Sequence, residues 1–191
     1  MSPHVELLAR RLAERAPREL DAPAREEAAV AAILAPLAGE NALQLLLIRR
    51  SSREHDPWSG HMALPGGRRD PGDADLRATA AREALEETGI DLAGARFLGR
   101  LDDLRPIRQS ERSLSVRPFV YWAAEQPRLR PNHEVAEAFW VSVADLRSAA
   151  GDADVQHRGA TLRVAAYVID GRVIWGMTQR VIAALLELAP G

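Results

Sequence analysis

The stretch from Arg82 to Ile90 reads REALEETGI and spaces Glu83, Glu86 and Glu87 at i, i+3 and i+4. In a helix these carboxylates project from one face, within a turn of one another. The opposite face would carry Ala81, Ala84, Leu85 and Thr88, small and apolar enough to pack on a sheet. Like charges on adjacent turns cost a bare helix roughly a few tenths of a kcal/mol per pair, so a countercharge is expected. A hard divalent cation with oxygen ligands, Mg²⁺ or Mn²⁺, would supply one. A solvated acidic helix face is the alternative.

Upstream lies LPGGRRDPGDAD, Leu64 to Asp75, and the helix signal starts at Asp75 or Leu76. Gly66-Gly67 after Pro65 predicts a tight turn that opens a carbonyl toward the glutamates. Asp73 or Asp75 is placed to cap the helix and suit the positive end of its dipole. A short strand, His61 to Leu64, leads into this unit.

Gly67, Arg82, Glu83, Glu86, Glu87, Gly89 and Ile90 resemble the Nudix box of the Nudix hydrolase superfamily. That pattern is a glycine, five intervening residues, a glutamate, seven intervening residues, then Arg-Glu-apolar-x-Glu-Glu-x-Gly-apolar. Here Asp73 replaces the first glutamate, eight residues separate it from Arg82, and Ala84 stands where a larger apolar residue is usual. The first two departures are similar to the coenzyme A pyrophosphatase branch. So are the run Leu45 to Ser51 and the ending Trp175-Gly176-Met177-Thr178 before an apolar helix. His61 in place of glutamine and Leu64 in place of phenylalanine depart from that branch.

The resemblance implies an α/β fold, a Nudix-type α/β/α sandwich with a mixed β-sheet. It implies hydrolysis of a diphosphate linkage in a nucleoside derivative, with coenzyme A or an acyl-CoA as the leading substrate. ADP-ribose, other nucleoside diphosphate sugars and nucleoside triphosphates stay open. Glu83 and Glu87 would hold the cation with the Gly67 carbonyl; Glu86 would be a third ligand or would orient the water. Arg82, paired with Glu86, and Gly89 would support the helix. Glu111, Glu134 and Glu137 are distal candidates for the base, and Glu134, after Asn132-His133, resembles the family's Asn-x-Glu-Val feature. Arg50, Arg68 and Arg105 are candidates for phosphate oxygens, and His61 for the pocket. Trp58, Tyr121 and Trp122 could stack on a base, although core packing is expected for Tyr121, Trp122, Trp140 and Trp175.

The alternatives of another class are narrower. A Nudix-fold isomerase would need a catalytic cysteine, and the 191 residues contain none. A non-catalytic ligand-sensing module would be expected to have lost part of the box, and the three helical glutamates are present. A net charge of −2 offers no large basic field for nucleic acid, and no run is apolar enough to span a membrane. Without cysteines or a secretory leader the expected location is cytoplasmic. The oligomeric state does not follow from sequence, a homodimer being one candidate.

The organisation expected is an N-terminal helix and linker over residues 1–24, then the catalytic domain over 25–191. Strands are predicted at Ala28 to Leu34, Leu43 to Arg50, His61 to Leu64, Ala95 to Leu104, Leu114 to Ala124, Glu134 to Val141 and Thr161 to Val168. Helices are predicted at Leu76 to Thr88 and Met177 to Ala189, with a short one through Asp145.

Overall fold

The computed structural model describes residues 2–20, 26–37, 42–52, 58–106, 114–157 and 159–190. Two apolar strands form the middle of the main sheet: β1 (Glu26–Pro36) and, after a long excursion, β6 (Leu114–Trp122). They pair in parallel from Glu26↔Leu114 to Leu34↔Trp122. Strands covered on both faces read as continuous apolar runs, which is the pattern both segments show. Around them lie β2 (Leu43–Arg50), β3 (Met62–Ala63), β4 (Gly66–Arg68), β5 (Arg96–Arg100) and β7 (Val135–Ser142). The sheet path is β3-β2-β1-β6-β5, with β4 on β1 and β7 on β2, and these other pairings are antiparallel.

Residue parity assigns each side of the sheet to a different layer. Ala29, Ala31, Ile33 and Leu46 face helix α2 (Leu76–Thr88), meeting Leu76, Ala80 and Ala84. Ala32, Leu34, Leu45 and Leu47 face α1 (Pro3–Glu14), α3 (Val143–Ser148) and α4 (Gly176–Leu188). The sheet thus lies between helical layers, as expected of the sandwich. Helix α1 buries Val5, Leu8 and Leu12, an i, i+3, i+7 stripe, in the second core. Each such side chain contributes roughly 1.5–3 kcal/mol. The expected linker boundary at residue 24 falls among 21–25, outside the described residues.

Helix α2 keeps its predicted bounds. Asp75 caps it through Ala78 N–H at 2.7 Å, and Gly89 ends it at φ 75°, a left-handed conformation that disfavours other residues. Two expectations are corrected nearby. Gly66-Gly67 is not a tight turn but part of β4, laddered onto Ala28–Val30, with Pro65 O accepting from Ala31 N–H at 2.8 Å. Leu85 does not pack on the sheet and is 49% exposed. The buried stripe runs instead through Ala80, Ala84, Glu87 and Thr88, so one of the three glutamates belongs to the covered face.

A second sheet extends the single strand expected at Thr161 to Val168. Strands β8 (Ala150–His157), β9 (Ala160–Ile169) and β10 (Arg172–Trp175) form it in the order β10-β9-β8. It lies on the α4 side, with Tyr167 and Ile174 in the second core.

Candidate active site

Helix α2 carries the site because β4 brings a backbone with no side chains against it. A Cβ on Gly67 would lie 2.3 Å from Glu83 Oε1, and one on Gly66 would lie 2.3 Å from Ala29 O. The Gly66 N–H instead donates to Glu87 Oε2 at 2.9 Å. Glu87 is 2% exposed. Burial pushes its carboxyl up to about 7, with Glu83 and Glu134 adding in the same direction and the Gly66 hydrogen bond and Arg50 opposing. Burial also raises Glu83, against the pull of Arg82 and with repulsion from Glu86 and Glu134.

Arg82 links the other acids. Its fork takes Asp73 through two contacts of 3.1 Å, and Nη1 reaches Glu83 at 2.9 Å and Glu86 at 3.2 Å. Nη2 also donates to Arg68 O at 3.1 Å. Bracing through Glu86 was the expected role; the larger interaction is with Asp73. The Arg82 guanidinium holds the Asp73 carboxyl well below the usual range, helped by Asp70 N–H and the Thr79 hydroxyl. The residue at the family's glutamate position is thus the one that clamps the arginine.

Glu134 comes from the segment before β7. Arg130 N–H donates to Thr88 O at 2.8 Å and Asn132 N–H to Glu87 O at 3.4 Å, docking that segment on the end of α2. Asn132 Oδ1 then accepts from Glu134 N–H at 2.8 Å, and Glu134 O accepts from Ser51 N–H at 2.8 Å. The charge of Glu134 is felt at both Glu83 and Glu87.

Arg50, at the end of β2, is felt at Glu87. Arg68 extends to Glu26 at 3.1 Å, and the Arg105 carbonyl accepts from Arg180 at 2.7 Å. Glu137 is on the other sheet face, held low by Arg172 and Arg49. His61 sits among Trp58, His157 and Trp175. Glu111 lies outside the described residues. Tyr121 and Trp122 are core residues, as expected, whereas Trp175 borders a cavity. Sequence reasoning did not single out Gly66 N–H as the anchor of Glu87; the Gly-Gly pair was the available signal.

Glu83, Glu87 and the Gly67 backbone fit a hard divalent cation in donor chemistry, since they offer oxygen only and the buried carboxylates lack full countercharge. Among the described residues no three acids stand ready in ligating geometry. Arg82 occupies the space between Glu83 and Glu86, and Gly66 holds one oxygen of Glu87.

Fold and site define an α/β/α protein that buries acidic side chains where a helix meets a glycine strand. The NUDIX domain model matches residues 26–163, and the chain belongs to the Nudix family. Nudix hydrolase NudL of Photorhabdus laumondii is 36% identical over 162 residues, 82% of this chain and 83% of that protein. Protein C14C4.10c of Schizosaccharomyces pombe is 46% identical over 108 residues, 53% of this chain; the match spans only 32% of that relative. The solved structure of RenU, a Nudix hydrolase from M. smegmatis, is similar at TM-score 0.52 and 26% identity, over 65% of this chain and 74% of that one. A MutT/nudix protein from Enterococcus faecalis shares the fold at TM-score 0.57 and 18% identity, over 94% of this chain and 66% of that one. The family's reaction is hydrolysis at a pyrophosphate bond with a divalent cation.

Proposed function

We propose that this chain hydrolyses the diphosphate linkage of coenzyme A or an acyl-CoA, using Mg²⁺ or Mn²⁺. The observation that carries the hydrolytic reading is that Glu83 and Glu87 lie against the Gly66-Gly67 backbone of β4, with the charge of Glu134 felt at both. The substrate reading rests on the resemblance of the Leu45 to Ser51 and Trp175 to Thr178 segments to that branch. Thr178 Oγ1 donates to Met62 O at 3.1 Å and joins the second segment to β3.

Glu83 and Glu87, with the Gly67 carbonyl, would hold the cation, and Glu86 would join them or orient the water. When bound, the cation neutralises the anhydride's charge and lowers the pKa of a coordinated water. Glu134 takes the proton from the attacking water, and Arg50 holds a phosphate oxygen. One P–O bond forms to water, one P–O bond of the anhydride breaks, and two phosphate products leave. Arg82 and Gly89 fix the helix. Arg68 and His61 are assigned to substrate farther from the linkage. We place the protein in the cytoplasm, with a homodimer as one assembly to test.

A product assay across coenzyme A, ADP-ribose, dinucleoside polyphosphates and nucleoside triphosphates tests this. Release of 3′,5′-ADP and 4′-phosphopantetheine, well above other rates, is the expected result. AMP from ADP-ribose with coenzyme A untouched would move the substrate to the nucleoside diphosphate sugars. No turnover on the panel would favour a ligand-sensing module.

A further inference from the structure

On the sheet face away from α2, a cavity of about 560 Å³ opens between β2–β3 and the small sheet, bordered by Arg49, His61, Glu137, Arg172, Val173 and Trp175. Strand pleating explains its relation to the acidic site. Leu46 faces the α2 core and Leu45 and Leu47 the other, which assigns Arg49 to the cavity face and Arg50 to the carboxylate face. Arg49 does line the cavity, while Arg50 is felt at Glu87.

The two walls differ in chemistry. One is built of flat rings: His61 and Trp175 have centroids 5.0 Å apart, and His157 packs edge-on against Trp175 at 5.3 Å. Trp58 meets His61 edge-on at 5.7 Å and lies tilted against His157 at 5.8 Å. The Thr178 bond to Met62 O ties this wall to the start of α4. The facing wall is of mixed charge, with Arg49 and Arg172 set among Glu137, Asp154 and Asp170. Arg172 lies over Phe139 at 4.4 Å and grips Glu137, so that carboxylate is already committed. Arg49 approaches Glu137 only to 3.5 Å and is half exposed. Asp154 and Asp170 also line the cavity, and Asp170 lies 3.7 Å from Arg172.

We propose that this cavity binds the purine nucleotide end of the substrate, with the heterocycle on the His61–Trp175 wall and a phosphate on Arg49. The volume suits a nucleotide-sized group, and flat π faces with a nearby guanidinium match a ring that carries an anion. Arg49 and Arg50, neighbours in sequence, would thus serve opposite parts of one ligand. This rests on the reading that the substrate is a nucleoside diphosphate derivative.

The test is calorimetric titration of the metal-free, full-length protein with AMP and with ribose 5-phosphate, which lacks the ring. AMP is expected to bind at least about tenfold more tightly. His61→Ala, which removes a ring, and Val173→Phe, which narrows the cavity, should each weaken AMP about tenfold and leave ribose 5-phosphate alone. Equal affinity for both probes, or AMP binding untouched in two folded variants, would overturn the proposal. Glu87→Gln separates the two readings: loss of turnover with AMP affinity kept supports both. Full turnover in Glu87→Gln would sink the carboxylate assignment while leaving the cavity result standing.

Discussion

Two carboxylates flank the same helix and live under opposite conditions. Asp73 meets the guanidinium of Arg82 at two points and is held far toward its charged form. Glu87, on the covered face of α2, has one backbone N–H and is pushed toward its neutral form. The first acid is satisfied by the protein and stabilises the fold. The second is costly unless something else neutralises it, which is why the proposed cation is assigned to that end of the helix.

The strongest way to break this contrast is Glu87→Gln. Turnover should fall on the order of 10²-fold or more, without loss of thermal stability in metal-free protein, because a burdened charge is removed. Near-normal turnover would end the assignment. Gly67→Ala should cost roughly tenfold in turnover, since the new methyl group displaces the Glu83 carboxylate that lies 2.3 Å from its position. Asp73→Asn should act in the other sense, lowering stability by roughly 2 kcal/mol in urea melts through loss of a charged fork.

pH sharpens the comparison. The native Glu87 carboxyl titrates near 7 against an ordinary 4.5, so the native state holds more protons than the unfolded chain between those values. Metal-free stability should therefore fall as pH rises from 4.5 through about 7. Asp73 contributes the reverse: its stabilisation is complete above 3.8 and is lost as pH falls below that value. Urea melts at pH 5 and pH 8, with and without Mg²⁺, should show the cation stabilising more at the higher pH. Equal stabilisation at both would separate the cation from Glu87. Leu85→Lys, on the exposed side, should change stability by less than about 0.5 kcal/mol.

The sequence revealed the box helix well because its ends are written in local chemistry, Asp75 at one and Gly89 at the other. The strands β1, β2 and β6 were legible for a similar reason, their long apolar runs. Strand β8 was not, since AGDADVQH is rich in residues that strands usually avoid and its pairing comes from β9. The glycine pair looked like a turn because composition alone does not distinguish bending from close approach. Here β4 is extended, and its missing side chains make room for Glu83 and Ala29. Trp175 reads as core in the sequence, which holds no local sign that β8 to β10 leave space beside it.

The docking of residues 130–132 on the last carbonyls of α2 has a consequence for how this protein tolerates change. Those bonds come from the backbone, so the reach from Glu134 to Glu87 is a matter of chain length more than of side-chain identity. Exchanging residues between Arg130 and Glu134 should be forgiven where Asn132 is kept. Adding or deleting a single residue there would put the loop out of step with the helix and carry the carboxylate away with it.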